Sequence, residues 1–294
     1  MKFAFNTFPF SSFPTLLPTY PLEDAIRSLA AIGYDALEIG CCAPHAWPQH
    51  LSRSRRNDIK AIAAGEGIAI SSLLPAIGGG FGCNPCSILR VERQATVEHY
   101  KGIVELASDL GAGMVLYIGG WRAEGMSRQD GWAHSLDCLR AVAAHAADRD
   151  ITVVIEPTTA DTNLIDTAAD ARRMMAESEG DNVRLMFDTC HVAHEGRSAS
   201  SYVGDMGLDL VHLHAADTGR RAIGDGNMDW DDLLRSLLAS DYGGYFTVET
   251  GFGARGIDPH DVARRSLKYL KERLAIACAQ ITDGDGKRLA MPAA

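Results

Sequence analysis

The sequence contains no long apolar run and no extended basic segment. Its first 18 residues are rich in apolar side chains, but Pro9, Pro14 and Pro18 interrupt them, which argues against a membrane span and a secretory leader. The 294 residues carry a formal net charge of −10, and the only basic cluster is the short 53-RSRR-56. Because phosphate binding requires a basic surface, we expect neither nucleic acid nor a membrane as a partner.

The sequence also lacks the cysteine pattern of a disulfide framework. It has seven cysteines, an odd number, and Cys41 is adjacent to Cys42. Cys83 and Cys86 form one C-x-x-C motif without a second pair of ligands at a suitable spacing, so this motif does not predict a zinc site. We therefore expect reduced thiols and a cytoplasmic location.

What the sequence does contain is an alternation of short apolar strands with helical segments, repeated eight times. The predicted strands are 3–7, 36–40, 68–74, 114–119, 152–157, 183–189, 211–217 and 245–250. Eight such units predict an α/β fold of the (β/α)₈ TIM barrel type, as a single domain over 1–279 with a C-terminal tail at 280–294. The alternative, a doubly wound open sheet, is disfavoured because the first strand–helix turn has no Gly-rich phosphate motif.

Four successive predicted strands end on side chains that can bind a metal ion. Strands five, six and eight end on Glu156, Asp188 and Glu249, and strand seven carries His212 and His214. In a barrel these ends meet on one rim, where three ionised carboxylates would repel one another without a cation between them. Carboxylates with one imidazole favour Mn²⁺, with Mg²⁺ or Co²⁺ as alternatives. Because His212 lies deeper in its strand, we interpret it as a core histidine.

Each of these residues also has an ordinary structural interpretation. Asp188 could cap the next helix, and either glutamate could pair with a nearby arginine or lysine. The Gly-rich segment 75–87, which follows predicted strand three, could be a mobile lid or an irregular loop. Glu38 points inward from strand two and could support a metal ligand from behind.

Five motifs give the chain a family resemblance that covers essentially the whole barrel. They are 155-IEPTTADTNL-164, 188-DTCH-191, 214-HAADTGR-220, 224-GDGNMDW-230 and 247-TVET-250. With them the chain resembles the xylose-isomerase-like (β/α)₈ superfamily, and in particular the branch of D-tagatose 3-epimerase and D-psicose 3-epimerase.

The resemblance implies roles for specific residues. The implied ligands of one divalent metal ion are Glu156, Asp188, His214 and Glu249, of which Glu156 and Glu249 are also the catalytic acid–base pair. The implied substrate-binding residues are His191, Arg220 and Asp161, where Asp161 stands in place of the glutamate that is usual in the family. His191 could instead cap a helix, and Arg220 could form a surface salt bridge.

The far end of a substrate should meet the loops that follow the early strands. Trp121 and His45 follow predicted strands four and two on the same rim, so we predict that they bind substrate. An aromatic ring can pack against the C–H bonds of a sugar, although core packing is an equal alternative for the tryptophan.

The implied activity is that of a metal-dependent sugar isomerase or epimerase, in first place C3 epimerisation of a ketose. A carboxylate removes the proton beside the carbonyl, a metal-stabilised cis-enediolate forms, and a second carboxylate returns a proton to the opposite face. The alternative is a lyase that eliminates from a 3-keto-glycoside or keto-inositol. An apurinic-site endonuclease would require a basic face, and a non-catalytic binder would not need two opposed glutamates. The resemblance further implies a small carbohydrate substrate and a homodimer or homotetramer.

Overall fold

Eight parallel strands close into one barrel in the order in which they occur along the chain. The computed structural model describes residues 1–11, 19–76, 81–250 and 257–285. The strands are β1 (Lys2–Asn6), β2 (Ala36–Cys41), β3 (Ala69–Pro75), β4 (Met114–Ile118), β5 (Thr152–Glu156), β6 (Val183–Asp188), β7 (Leu210–Ala215) and β8 (Tyr245–Val248). Each strand begins within two residues of its predicted start. The closed order of the strands confirms the predicted (β/α)₈ TIM barrel.

Helices follow the strands and cover the outside of the barrel. They are α1 (Phe8–Ser11), α2 (Leu22–Ile32), α3 (Arg53–Glu66), α4 (Arg90–Leu110), α5 (Arg128–Ala147), α6 (Ala168–Ser178), α7 (Thr189–His194), α8 (Ala199–Met206), α9 (Trp230–Ala239) and α10 (Pro259–Asp285), with 3₁₀ turns at Pro48–His50 and Gly207–Asp209. Local sequence sets several ends. At α6, Thr167 and Asp170 form a capping box, and α4 ends where Gly111 adopts a φ of 81°.

The last helix bears on the predicted boundary between domain and tail. α10 runs to Asp285 and therefore crosses residue 280 without a break. Residues 286–294 lie outside the described part of the chain, so the division at 279 stays a prediction. Among the described residues, no helix combines the length and the apolar composition that a membrane crossing requires.

Two apolar clusters hold the fold together. The larger lies between the strands and the surrounding helices and includes Phe5, Leu37 and Tyr117. The smaller draws on β3 to β6 and on the segments after β1 and β2; its members are Phe8, Cys42, Leu74, Ala76, Leu116, Ile118, Val154 and Met186. Both bury side chains almost completely, which is the main source of stability in such a barrel.

Polar side chains are also fully buried within the strands, including residues of β2, β3, β7 and β8. Glu38, Ser72, His212, His214 and Thr247 all have no exposed surface. Because burying a polar group is costly unless it is hydrogen-bonded, each of these residues requires a partner. Glu38, Ser72 and His214 are hydrogen-bonded in the network described below, and His212 Nε2 lies 3.0 Å from Glu38 Oε2. The hydroxyl of Thr247 has no partner among the described residues.

The unpaired hydroxyl leads to a prediction about stability. Thr247→Val removes the hydroxyl and keeps the shape of the side chain, so we expect the free energy of unfolding to rise by about 1 kcal/mol. Urea unfolding of the two proteins measures the difference. A loss of stability of similar size would mean that the hydroxyl has a partner, and it would contradict the prediction.

Candidate metal centre and active site

The four predicted metal ligands meet at the carboxyl-terminal rim of the barrel. Glu156 and Asp188 are the last residues of β5 and β6, His214 is the penultimate residue of β7, and Glu249 directly follows β8. Parallel pairing aligns Asp188 with His214, and the backbone N–H of Glu249 donates to the carbonyl of Ala215. All four side chains are buried, with at most 6% of any residue exposed.

The imidazole of His214 lies between the two glutamates. Its Nδ1 atom is 3.5 Å from Glu156 Oε1 and 3.4 Å from Glu249 Oε2. Asp188, His214 and Glu249 each offer a ligand atom, and these atoms lie within 4.8 Å of one another. Glu156, Asp188 and His191 form a second group at the same separation. The side chains are thus close enough to share one ion.

Two buried atoms in this cluster have no hydrogen bond among the described residues, and both fit a bound cation. His214 Nε2 lies 2.8 Å from Glu38 Oε1, and because a carboxylate only accepts, Nε2 carries the proton. In the neutral ring Nδ1, which faces the carboxylate oxygens of Glu156 and Glu249, is then the nitrogen left for a metal ion. Asp188 Oδ2 is the second such atom, whereas its Oδ1 accepts from the Cys190 N–H at 2.8 Å. Three carboxylates and one imidazole are a donor set for a hard divalent ion.

The electrostatics of the cluster give its carboxyl groups opposite shifts. Burial raises the pKa of Glu156. Burial also acts on Glu249, but the charges of His214 and Arg220 outweigh it and lower the pKa of Glu249 to about 2. Burial disfavours the charged form of His214, yet Glu38 and Glu249 overcome it and hold the pKa of this ring well above its usual range. A proton on Nδ1 and a metal ion therefore compete for one site.

Three of the predicted substrate-binding residues lie beside the metal ligands. Arg220 Nη1 is 2.7 Å from Glu249 Oε2 and 3.2 Å from Asp188 Oδ2, and Nη2 is 3.4 Å from Asp161 Oδ2. His191 Nδ1 accepts from the backbone N–H of Ala160 at 3.2 Å, so the ring proton sits on Nε2. That Nε2–H lies 3.6 Å from Asp161 Oδ2 and 3.9 Å from Asp188 Oδ2. Arg220 and His191 can therefore each donate a hydrogen bond to an oxygen atom bound at this site.

The loop between β7 and α9 holds Arg220 in place. The carboxylate of Asp217 accepts from four donors, which are the backbone N–H groups of Thr218, Gly224 and Met228 in this loop and the indole N–H of Trp230 at the start of α9. A side chain at Gly226 would collide with Asp217. Arg220 itself adopts a φ of 54°, and its carbonyl accepts from Thr250 Oγ1 at 2.8 Å. This positive φ is uncommon for a residue other than glycine, and the hydrogen bonds of Asp217 and Thr250 stabilise it.

Trp121 and His45 lie in the loops that follow β4 and β2, on the same rim as the predicted metal ligands. His45 is buried, and its Nε2 lies 2.7 Å from the carbonyl oxygen of Tyr20. The side chain of Asn84 bonds both the N–H and the carbonyl of Trp121, which ties the loop after β3 to the loop after β4. Residues 77–80 of the segment 75–87, which could be a lid or an irregular loop, lie outside the described residues. Substrate contacts of Trp121 and His45 stay predictions.

Several residues around the site escaped the sequence reasoning. Asn6 and Ser72 each donate to the Glu38 carboxylate at 2.7 Å, and Asp217 organises the loop of Arg220. Asn6 and Ser72 are polar residues within otherwise apolar strands, and this pattern was the sequence signal that could have identified them. His212, predicted as a core histidine, is fully buried with Nε2 at 3.0 Å from Glu38 Oε2. All seven cysteines are described, and all lie outside disulfides.

Comparison with known proteins places the chain in a family. A family model described as the xylose isomerase-like TIM barrel matches residues 26–273. Fructoselysine 3-epimerase of Shigella flexneri is 25% identical over 238 residues, which are 78% of this chain and 85% of that protein. L-ribulose 3-epimerase of Methylomonas sp. (strain DH-1) is 24% identical over 267 residues, or 85% and 90% of the two chains.

Solved structures agree on the fold. The crystal structure of D-psicose 3-epimerase with D-tagatose from Clostridium cellulolyticum H10 aligns with a TM-score of 0.81 at 21% identity, over 93% of this chain and 99% of that chain. The relatives are named epimerases, which confirms the prediction of an enzyme of the isomerase class. The match over most of the barrel shows that this chain belongs to the xylose isomerase-like TIM barrel family.

Proposed function

We propose that the protein is a metal-dependent ketose 3-epimerase. One observation carries this proposal. Two buried carboxylates, Glu156 on β5 and Glu249 after β8, lie 3.5 and 3.4 Å from the same nitrogen of His214. Inversion at a carbon beside a carbonyl requires one group that removes a proton and a second group that returns one to the other face. Two carboxylates around one common point meet that requirement, and the relatives named 3-epimerases support the choice of reaction.

The same residues would hold one divalent ion, for which Mn²⁺ is our first choice and Mg²⁺ or Co²⁺ the alternatives. Its ligands would be Glu156, Asp188, His214 and Glu249. When bound, the ion supplies Lewis-acid polarisation of the substrate carbonyl, which acidifies the neighbouring C–H bond. His214 Nδ1 and Asp188 Oδ2, which are both buried without a hydrogen bond among the described residues, support this ligand set.

The protein side chains then carry out the proton transfers. One glutamate takes the C3 proton and leaves an enediolate, and the other protonates the opposite face. Arg220 and the Nε2–H of His191 donate hydrogen bonds to the oxygens where negative charge develops. The Asp161 side chain is 63% exposed at the mouth of the site, where it can accept from a sugar hydroxyl. Trp121 and His45 would contact the far end of the sugar.

Proton NMR in D₂O tests the reaction. We would load the protein with diamagnetic Mg²⁺ and offer free ketohexoses, ketopentoses and 3-keto-glucosides. We expect deuterium to enter at C3 of a ketose while the C3 epimer appears. Loss of the aglycone from a keto-glycoside would instead establish the lyase alternative. With metal bound, absence of exchange on every substrate would contradict the ketose assignment.

Two further expectations concern the protein as a whole. We infer a homodimer or homotetramer, by analogy with the family, and sedimentation of the purified chain would measure it. A cytoplasmic location is inferred from the cysteines, which are mostly buried thiols. Buried thiols persist in a reducing compartment, and fractionation of the source cells would test the inference.

A further inference from the structure

We propose that Glu38 is a positioning residue that fixes the proton of His214 on Nε2 and so presents Nδ1 to the metal ion. This inference rests on the proposed function, because it concerns the metal site used there. Glu38 lies on β2, across the barrel from the ligands on β5 and β6, and it has no exposed surface. Its Oε1 lies 2.8 Å from Nε2 of His214, whereas Glu156 and Glu249 lie near Nδ1, the other ring nitrogen.

The Glu38 carboxylate is held by donors from three other strands. Oε1 accepts from Asn6 Nδ2 on β1 at 2.7 Å and from His214 Nε2 on β7 at 2.8 Å. Oε2 accepts from Ser72 Oγ on β3 at 2.7 Å and lies 3.0 Å from His212 Nε2. With both oxygens engaged, the carboxylate cannot rotate without breaking a buried hydrogen bond, which is costly.

The consequence concerns the tautomer of His214. A neutral imidazole carries its proton on one nitrogen, and only the other nitrogen can bind a metal ion. Without an acceptor at Nε2, the proton could move to Nδ1, where the carboxylates of Glu156 and Glu249 would accept it. Glu38 removes that option because it holds the proton at Nε2. A carboxylate behind a metal-binding histidine acts in this way in many metal sites.

A competing interpretation is that Glu38, His212 and His214 themselves bind a second cation, since their ligand atoms lie within 4.8 Å of one another. The contacts of Glu38 argue against it. The amide of Asn6 and the hydroxyl of Ser72 already direct protons at its two oxygens. We therefore expect one ion per chain, and two ions per chain would overturn the proposal.

Glu38→Gln provides the main test. The glutamine keeps the size but cannot accept from all four neighbours, so the Nε2 proton of His214 loses its fixed acceptor. We expect Mn²⁺ to bind about 10- to 100-fold more weakly, measured by the EPR signal of free Mn²⁺. Ser72→Ala removes one donor to Glu38 and should cause a smaller loss, about threefold, in the same direction. If Glu38→Gln does not fold, the Mn²⁺ affinity of Ser72→Ala still tests the proposal.

Thr247→Val is the matched control, because Thr247 is equally buried and pairs with His214 in the strand register, but its hydroxyl has no hydrogen bond among the described residues. Its Mn²⁺ affinity should equal that of the wild type. In Mg²⁺-loaded protein, ¹H–¹⁵N correlation spectra should show the Nε2–H tautomer of His214 in the wild type and its loss in Glu38→Gln. A lower melting temperature with unchanged Mn²⁺ affinity and tautomer would indicate a purely structural role and overturn the proposal.

The outcomes separate this proposal from the epimerase assignment. If Glu38→Gln weakens Mn²⁺ binding while the wild type shows no exchange on any ketose, the positioning role stands and the proposed reaction falls. If the wild type epimerises a ketose while Mn²⁺ binds both proteins equally, the reaction stands and the positioning role falls. If the wild type binds no Mn²⁺ at all, both fall.

Discussion

Glu156→Gln and Glu249→Gln should each lower the rate of C3 epimerisation by about 10³-fold or more at saturating Mn²⁺. Each change keeps the size of the side chain and an oxygen that can still face the metal ion, but it removes the carboxylate that we propose accepts or returns a proton. Both carboxylates are buried, so water cannot easily replace either one. HPLC of the two epimers measures the loss.

The two variants should also differ in a way that identifies the face on which each glutamate acts. With one base removed, the remaining glutamate can still exchange the C3 proton of the epimer whose C–H bond faces it. We therefore expect Glu156→Gln to incorporate deuterium into one epimer and Glu249→Gln into the other. Thr247→Val serves as the control and should epimerise at the wild-type rate. Near-wild-type turnover by either glutamine variant would remove that residue from the acid–base pair.

Arg220→Gln should lower kcat/KM by about 10²- to 10³-fold. The guanidinium lies 2.7 Å from Glu249 and 3.2 Å from Asp188, and in the proposed mechanism it donates to the oxygens where negative charge develops. Its removal takes away a charged donor and also the positive charge that helps to lower the pKa of Glu249. Initial rates with a ketose substrate measure the effect, and Mn²⁺ titration separates it from a loss of metal.

The neighbouring arginine offers a matched control. Arg221 is exposed, and its guanidinium bonds only the carbonyl and hydroxyl of Thr218 among the described residues. Arg221→Gln should therefore leave kcat/KM within about twofold of the wild type. If the two variants had the same kcat/KM, Arg220 would contribute no more to catalysis than the exposed Arg221. That result would contradict our proposal.

Much of the site followed from the sequence because of a property of parallel barrels. The carboxyl ends of all strands meet on one rim, so residues that end successive strands become neighbours regardless of their separation in the chain. For this reason Glu156, Asp188, His214 and Glu249 could be grouped from strand ends alone, and the structure brings them together. The same logic gave the closed barrel, since eight apolar strands alternating with helices leave few other arrangements.

What the sequence alone could not supply were the contacts that depend on side chains meeting across the barrel or within a long loop. Glu38 and His214 are 176 residues apart and lie on strands that are not neighbours, so no local pattern links them. The same holds for Asp217 and the indole of Trp230, which meet only because the intervening loop folds back.

Sequence thus determined which residues line the rim, because strand order and alternation fix the face and the end at which a side chain emerges. The tertiary structure decided which atom of each residue faces which partner. That choice depends on barrel closure and on the hydrogen bonds that hold each rotamer, as Asn6 and Ser72 hold Glu38. In our proposal the chemistry of His214 depends on that second level, since Glu38 on a distant strand contacts Nε2 and would leave Nδ1 to bind the metal ion.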